Sequence, residues 1–546
     1  MVHYATRFVV FVLLACGVAA QVAAHEEHEQ HGAIDFPISC SEPSQQAFNK
    51  GMVLLHHMTY PQARQQFEAI IEDDPECAMA HWGVAMTLFQ PLWPTRPSPV
   101  ALQRGWDEVQ RAKSLGLQSE RERQFVVSAE AFFTDPQSGD YWLRIRRWEA
   151  ASAEAYSKMP NDTEIAVFYA LAHLATTPSN ANTREHADEA AAILTKILQQ
   201  HPDHPGVMHY LVHANDVPGR EHELLDVTRK YEEIAPDNPH ALHMPTHIYT
   251  RLGDWDGVIR GNLRAANAAL AYPAGEKGEF IWDEFAHAIE YLVYAYLQEA
   301  DDAKALSQVQ RLRAVPNLEP SFKTAFHLAS TQARYALERG AWSEAAQIQP
   351  RMPGSIDWDK FIWPEAIAQF ARGFGAARTG DAERARAALI RIEELEKRAR
   401  ASGENLFARN VQLLGIELNA RVSYERSERK LAVQLLQQAA QLESATPKHP
   451  VTPGPTLPAY ELLGDMYMES GRPEEALDAY EAALKSYPRR FNSILGSARA
   501  ARASGNGARA ADYYRQLIAL AGSSSRGSII EARSFIEGHK QPDDPR

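Results

Sequence analysis

The stretch YELLGDMYMESGRPEEALDAYEAALKSYP, Tyr460–Pro488, decides the fold. It contains two runs of apolar and helix-forming residues, and the sequence GRP separates them. Small residues at Gly464 and Ala476 allow the first predicted helix to approach the second, and larger apolar residues fill the remaining space. Pro488 closes the unit, because proline cannot continue a helix. The stretch therefore predicts a pair of closely packed antiparallel helices.

The same pattern recurs along the chain. The stretch AFNKGMVLLHHMTYPQARQQFEAIIEDDP, Ala47–Pro75, places Gly51 and Ala63 at the positions of Gly464 and Ala476. Two further units are centred on Gly373/Ala385 and Ala498/Ala510, and weaker copies cover roughly 160–202, 205–236, 239–272, 285–318 and 326–350. The pattern resembles the 34-residue tetratricopeptide repeat over most of residues 41–521.

This resemblance implies an all-α fold, a right-handed α-solenoid of tetratricopeptide-like helix pairs. No alternation of Val, Ile and Thr competes with it, because Ala, Leu, Glu and Arg dominate the chain. The superfamily consists mostly of binding scaffolds, so the resemblance also implies a concave groove for a protein or peptide partner. A net charge of −14 argues against a nucleic-acid partner.

The pattern divides the 546 residues into six segments. A signal peptide (1–24) is followed by a His-rich segment (25–40) and by a first and central solenoid that carries most of the histidines (41–350). After these come further repeat-like helices with a proline-rich loop (351–457), C-terminal repeats (458–521), and a capping helix with a tail (522–546).

The first segment has the features of a secretory signal peptide. The apolar run FVVFVLLACGVAA follows an Arg, and QVAA ends in small residues, which favours cleavage after Ala24. Leu13 to Cys16 resembles a lipobox, so a lipid anchor on Cys16 is the alternative. We expect an exported protein, periplasmic or secreted, without a transmembrane span, because no later stretch is long and apolar enough.

Export affects the interpretation of the cysteines. Cleavage after Ala24 leaves Cys40 and Cys77. An even pair in an oxidising compartment predicts a disulfide bond, and two unpaired, half-buried thiols are the alternative.

Histidines are concentrated in the middle of the chain. The protein has 21 His, so the window 209–247 should hold about 1.5, but it holds six. Two of the stretches, HYLVHAND and HALHMPTHI, each contain a pair of His four residues apart. The pair His209/His213 lies 34 residues before the pair His243/His247, which is one repeat length.

In the repeat register, both pairs occupy matching positions on successive first helices. Resemblance to the superfamily implies that such positions face the concave groove. Three adjacent helices would then line one pocket with His209, His213, Asp216, His240, His243, His247, His287 and Glu290.

The spacing is suited to a metal ion. His side chains at i and i+4 share a helix face, packed helices lie ~8–10 Å apart, and imidazole nitrogens bind metals at ~2 Å. The predicted ligands are His209, His213, His240, His243, His247 and His287, and the metal is Zn, Cu or Fe. Asp216 and Glu290 are candidates for an oxygen ligand, an orienting group or a general base. The alternative is that these histidines bind a peptide or are structural.

Two functions follow from these features. The first is an exported scaffold that binds a protein or peptide partner in its groove and a transition metal through its histidines. The second is a metal-dependent enzyme, either a hydrolase or an oxygen-activating enzyme. Metal storage or delivery is a third possibility, in which the run HEEHEQH, with His25, His28 and His31, would capture the ion.

The stretch KHPVTPGP, Lys448–Pro455, is expected to be a rigid loop leading into the best repeat rather than a cover for the groove.

Overall fold

The computed structural model describes Gly32 and residues 34–177, 183–275 and 277–538. These residues are helical almost throughout, which confirms the all-α repeat fold. The helices are α1 (Glu42–His56), α2 (Tyr60–Asp73), α3 (Ala78–Met86), α4 (Pro99–Leu115), α5 (Glu120–Phe133), α6 (Tyr141–Lys158), α7 (Thr163–Thr176), α8 (Thr183–Gln200), α9 (Pro205–Asn215), α10 (Leu225–Ile234), α11 (Pro239–His243), α12 (Pro245–Leu252), α13 (Trp255–Ala269), α14 (Glu284–Gln298), α15 (Asp302–Ala314), α16 (Phe322–Leu337), α17 (Trp342–Ala346), α18 (Ile362–Arg378), α19 (Ala382–Ala401), α20 (Asn405–Glu425), α21 (Arg429–Ser444), α22 (Ala459–Glu469), α23 (Pro473–Ser486), α24 (Phe491–Ala503), α25 (Gly507–Ala521) and α26 (Gly527–Gly538).

Short elements interrupt this series. The 3₁₀ turns are Glu221–Leu224 and Trp358–Lys360. The sequence predicts no strand, but β1 (Pro273–Ala274) and β2 (Phe280–Ile281) pair antiparallel between α13 and α14. Among the described residues, no helix is both long enough and apolar enough to cross a membrane.

Close packing of helix pairs depends on the small residues that define the repeat. A Cβ added at Gly464 on α22 would lie 2.7 Å from the Tyr480 ring on α23. Likewise, a Cβ at Gly51 on α1 would lie 2.6 Å from the Phe67 ring on α2. Real Cβ atoms do not approach so closely, so a side chain at either glycine would push the two helices apart.

Distant repeats come together and enclose the concave side. Helix α1 packs against α9, and α14 packs against α24. The guanidinium of Arg96 forms two bonds to Glu404, at 2.9 and 3.0 Å, across 308 residues of sequence. The Trp255 indole N–H donates to the carbonyl of Arg489 at 3.1 Å. These contacts turn the concave side into an interior.

The proline-rich loop (Lys448–Pro455) lies over this interior as well as leading into α22, which corrects the sequence expectation. Lys448 Nζ lies 2.7 Å from Asp216 Oδ2. Arg334 donates to the carbonyl of Pro455 at 2.7 Å and to Thr452 Oγ1 at 2.9 Å. Buried cations and carboxylates on the helices therefore hold the loop in place.

Near the N-terminus, Cys40 and Cys77 form a disulfide bond with a Cα–Cα distance of 5.2 Å. The bridge joins the residue before the N-cap of α1 to the N-cap of α3. The predicted signal peptide, Cys16 and the run His25, His28 and His31 lie outside the described residues, as does the tail beyond residue 538.

Candidate metal centre

The six predicted ligands lie on four helices, three of which begin with proline. Pro205, Pro239 and Pro245 start α9, α11 and α12, where the missing N–H costs no helical hydrogen bond. The sequence predicts one helix through HALHMPTHI, but Pro245 divides it into α11 and α12 because proline removes a backbone donor. Met244 keeps helical dihedral angles, with φ −54° and ψ −43°, so the turn continues across the division.

These histidines are not exposed to an open groove, contrary to the sequence expectation. His209 and His243 are 0% exposed and His287 is 4% exposed, whereas His213 is only partly buried. The Trp93 ring lies 5.1 Å from the ring of His240, and the proline-rich loop covers the neighbouring Asp216. The site is therefore an enclosed interior centre.

The first triad consists of His209, His213 and His240, and its ring nitrogens converge. His209 Nε2 lies 3.1 Å from His213 Nε2 and 3.1 Å from His240 Nε2. One ring nitrogen from each of the three residues lies within 4.8 Å of the other two.

Hydrogen bonds at Nδ1 fix two imidazoles of the first triad. His209 Nδ1–H donates to the backbone carbonyl of His56 at 2.6 Å. His240 Nδ1–H donates to Glu284 Oε1 at 3.0 Å. Because a neutral imidazole carries one proton, the Nε2 atoms of His209 and His240 present lone pairs to each other.

The second triad consists of His243, His247 and His287. Its nitrogens converge in the same way, with His243 Nε2 and His247 Nε2 3.0 Å apart. His287 also contributes a ring nitrogen, so that the three atoms lie within 4.8 Å of one another.

The second triad is also fixed at Nδ1. His243 Nδ1–H donates to Asn262 Oδ1 at 2.7 Å, and the Asn262 amide is oriented by its own bond to the Val258 carbonyl at 2.8 Å. His247 Nδ1–H donates to Asp216 Oδ2 at 2.9 Å. The Nε2 atoms of His243 and His247 are therefore unprotonated and face each other.

A relay from a carboxylate sets the tautomer of His287. Glu290 Oε2 accepts the Nδ1–H of His327 at 2.5 Å. His327 Nε2 then accepts the Nδ1–H of His287 at 3.0 Å. This leaves the Nε2 of His287 unprotonated, like the other nitrogens of the second triad.

The two triads are adjacent. The rings of His213 and His247 have centroids 6.2 Å apart, and those of His240 and His243 are stacked at 6.3 Å. The arrangement therefore places two groups of three imidazoles side by side within one interior.

Burial keeps these imidazoles neutral. It holds the pKa of four of them well below the ordinary value of 6.5: His209, His213, His243 and His287. Burial also lowers the pKa of His247, although the bond to Asp216 opposes this effect. Neutral imidazole is the form that binds metal ions.

The predicted carboxylates lie around the triads, and among the described residues neither belongs to the converging groups. Asp216 accepts bonds from His247 and from Arg251 Nε at 2.8 Å. Burial opposes its ionisation, but Lys448 and Arg251 hold the pKa of Asp216 well below its ordinary value.

Glu290 is also occupied by neighbouring donors. It accepts bonds from Ser330 Oγ at 2.6 Å and from Arg334 Nε at 2.9 Å, in addition to the bond from His327. Both predicted carboxylates therefore orient imidazoles directly or through a neighbour, and each also contacts a cation.

Three residues that support the triads were missed by the sequence analysis: Asn262, Glu284 and His327. His327 lies 40 residues after His287 on the next first helix, so the repeat spacing contained a signal for it. Glu284 and Asn262 had no such signal, because their role depends on the packing of α13 and α14 against α11.

Another buried cluster has a different character. His56 and His204 both bond to Glu164, at 3.0 and 3.1 Å. His56 Nδ1 also bonds to the Tyr210 hydroxyl at 3.1 Å, and His204 Nδ1 accepts from the backbone N–H of Val207 at 3.3 Å. Hydrogen bonds thus engage the ring nitrogens of both histidines, so this cluster is a structural network.

A cavity of about 430 Å³ reaches the first triad. His213 and Asp216 are among its lining residues, and the proline-rich loop forms part of its wall. Aromatic side chains of Trp93, Trp142 and Phe407 line it as well. The cavity thus offers a mostly apolar route to the ring nitrogens.

Comparison with known proteins identifies the repeats. Residues 462–525 match the tetratricopeptide repeat family. This part of the chain therefore carries tetratricopeptide repeats. The sequence shows no significant match to any curated protein.

Two solved structures are among those to which this chain is similar. The human IFIT1 dimer with m7Gppp-AAAA is 14% identical, with 81% of this chain and 90% of that chain covered and a TM-score of 0.38. The APC/C hetero-tetramer Cut9–Hcn1 is 14% identical, with 91% and 90% covered and a TM-score of 0.32.

Proposed function

We propose that the two triads hold two metal ions, each through three Nε2 atoms. The observation that carries this proposal is the convergence of six ring nitrogens, in which hydrogen bonds at Nδ1 leave Nε2 unprotonated for five of the six imidazoles. In each triad two unprotonated Nε2 atoms lie 3.0–3.1 Å apart with their lone pairs facing each other. The lone pairs repel each other unless a cation lies near both nitrogens. Metal–imidazole bonds of ~2 Å are compatible with nitrogens at that separation.

The donor set favours copper. Imidazole suits Zn, Cu, Fe and Ni, whereas non-haem Fe(II) oxygenases use two His and a carboxylate. The triads contain no carboxylate, and the three nearby carboxylates already have cationic partners: Asp216 with Lys448, Glu284 with Lys323, and Glu290 with Arg334.

Charge repulsion favours the monovalent state. At the ~4 Å separation of two-metal sites and an effective dielectric constant of ~20, two dications repel each other by about 17 kcal/mol. Two monocations repel by only about 4 kcal/mol. Neutral imidazoles cannot offset the repulsion between two dications. Two copper(I) ions therefore fit better than two zinc ions.

From this we infer an oxygen-activating copper enzyme, the second function that the sequence suggests. Copper(I) held by the two triads would supply electrons to dioxygen, and an organic substrate would return them. The chain would hold a small, largely apolar substrate in the 430 Å³ cavity beside His213. The proline-rich loop would exclude bulk water, and Glu284 and Asp216 would keep the ligand imidazoles oriented.

Binding of a protein or peptide partner belongs to the proposal as well. Tetratricopeptide repeat proteins bind such partners, and residues 462–525 match that family. Since the proline-rich loop occupies the concave side near the triads, a partner would use a surface away from it.

Export is the third part of the proposal. The apolar N-terminal segment supports it, and so does the disulfide between Cys40 and Cys77, because such bonds persist in oxidising compartments. A periplasmic or secreted location would also give the protein access to dioxygen and copper.

The test is oxygen uptake by protein loaded with copper(I) under anaerobic conditions. We expect about one dioxygen consumed per pair of copper ions, and no uptake by protein loaded with zinc. A His243→Ala/His247→Ala variant should lose at least 90% of the uptake. The matched control is His173→Ala, which removes a buried imidazole bonded instead to Glu149. Equal uptake by both variants, or none by the wild type, would contradict an oxygen-activating function.

A further inference from the structure

A second large cavity lies at the C-terminal repeats, and no triad histidine lines it. Its volume is about 610 Å³, and α16, α18, α20, α22 and α24 contribute to its walls. Aromatic side chains line it at several points: Trp342, Phe374, Tyr480 and Phe491. It is therefore a roomy site with both apolar and polar walls.

Several buried carboxyl groups lie in the wall of this cavity. Glu338 and Glu461 share one buried guanidinium, since Arg490 lies 2.8 Å from Glu338 Oε1 and 2.7 Å from Glu461 Oε2. Asp465 also lines the cavity and accepts a bond from the Tyr480 hydroxyl at 2.6 Å. One guanidinium therefore serves both Glu338 and Glu461.

Glu417 on α20 lacks a hydrogen-bond partner in the part of the chain that the structure describes. Its side chain lines the cavity and is 1% exposed, and among the described residues neither carboxyl oxygen has a hydrogen-bond partner. Burial raises the pKa of Glu417, and the neighbouring Glu443 raises it further. A buried polar group without a partner is costly, so this carboxyl is suited to a ligand that supplies a donor.

The arginines that line the cavity are paired with carboxylates other than Glu417. Arg421 bonds to Glu469 at 2.8 Å and also contacts Glu425, and Arg378 contacts the same Glu469. Arg499 pairs with Glu531 at 2.6 Å. They are thus held by other carboxylates, and a cation from outside the chain can approach Glu417 without competing with them.

We propose that this cavity binds an organic ammonium group, with Glu417 as its counter-charge. The aromatic walls would pack against the attached alkyl chain and attract the cation through their ring faces. A metal ion fits less well, because the potential metal-binding groups among the described residues do not include Glu417. The ammonium could come from a lysine side chain of a partner peptide or from a free diamine.

Titration calorimetry on the full mature chain tests this assignment with two probes, 1,4-diaminobutane and the peptide acetyl-Gly-Lys-Gly-amide. We expect at least one probe to bind, and at least tenfold weaker binding by Glu417→Gln. Glu428→Gln, which changes an exposed carboxylate at the start of α21, should bind like the wild type. The neutral peptide acetyl-Gly-Met-Gly-amide should not bind.

The two probes distinguish the source of the ammonium. Binding of the peptide alone indicates a lysine side chain, and binding of the diamine alone indicates a free amine. Glu417→Met keeps the side-chain volume without the carboxyl, so it replaces the Gln variant if circular dichroism shows that variant unfolded. No binding of either probe to the wild type, or equal binding by the wild type and a folded Glu417 variant, would overturn the proposal.

Discussion

Metal-linked stability offers a quantitative prediction for the two triads. The perturbation is the double substitution His243→Ala/His247→Ala, which removes both facing nitrogens of the second triad, 3.0 Å apart, and leaves the first triad intact. A ligand that binds only the folded state at about 1,000 times its Kd stabilises that state by about 4 kcal/mol. Two copper ions should therefore add about 8 kcal/mol to the wild type, and one should add about 4 kcal/mol to the variant.

These energies convert to shifts in melting temperature. An unfolding entropy of about 2.1 cal/mol/K per residue gives about 1.1 kcal/mol/K for a mature chain of about 520 residues. Copper should then raise the Tm of the wild type by about 7 °C and that of the variant by about 4 °C. The assay is differential scanning calorimetry of metal-free protein with and without copper(I). His173→Ala should show the full shift. Equal shifts in the wild type and the double variant would refute the reasoning, because the second triad would then contribute nothing.

Three further predictions concern the surroundings of the site and the rest of the fold. Glu284→Gln weakens the orientation of a ligand imidazole, so copper affinity measured by competition with a chelator should fall by about 10–100-fold. Replacing both Cys40 and Cys77 by Ser opens a loop of 37 residues, which should lower the free energy of unfolding by about 4 kcal/mol in urea titrations. Because the pKa of Glu417 is raised in the folded state, its protonated carboxyl contributes to the free energy of unfolding. This contribution is fully present below about pH 4.5, the ordinary pKa of a glutamate, and is lost as the pH rises through the folded-state pKa. The Glu417→Gln variant should therefore lose less stability than the wild type over that rise in pH, measured by urea titrations at several pH values.

The fold could be predicted because local spacing determines it. Gly464 and Gly51 mark places where a Cβ would strike an aromatic ring of the partner helix, and such a requirement is visible in sequence. The proximity of the histidine pairs followed from the same 34-residue register.

The internal organisation of the site could not be predicted in the same way. The division into two triads depends on the side-chain directions of α11, α12 and α14, and Pro245 alters the first two. The expectation of an open groove was wrong for this region because long-range contacts, such as Lys448 with Asp216, close it. Sequence spacing does not reveal which distant loop will cover a concave surface.

Copper stoichiometry tests the central claim most directly. The mature protein, reconstituted with copper(I) and separated from excess metal, should contain two copper ions per chain by mass spectrometry, one for each triad. X-ray absorption should show only imidazole nitrogen around the copper. The His243→Ala/His247→Ala variant should retain one ion. A wild type that holds no copper, or a variant that still holds two, would contradict the assignment of the triads as metal sites.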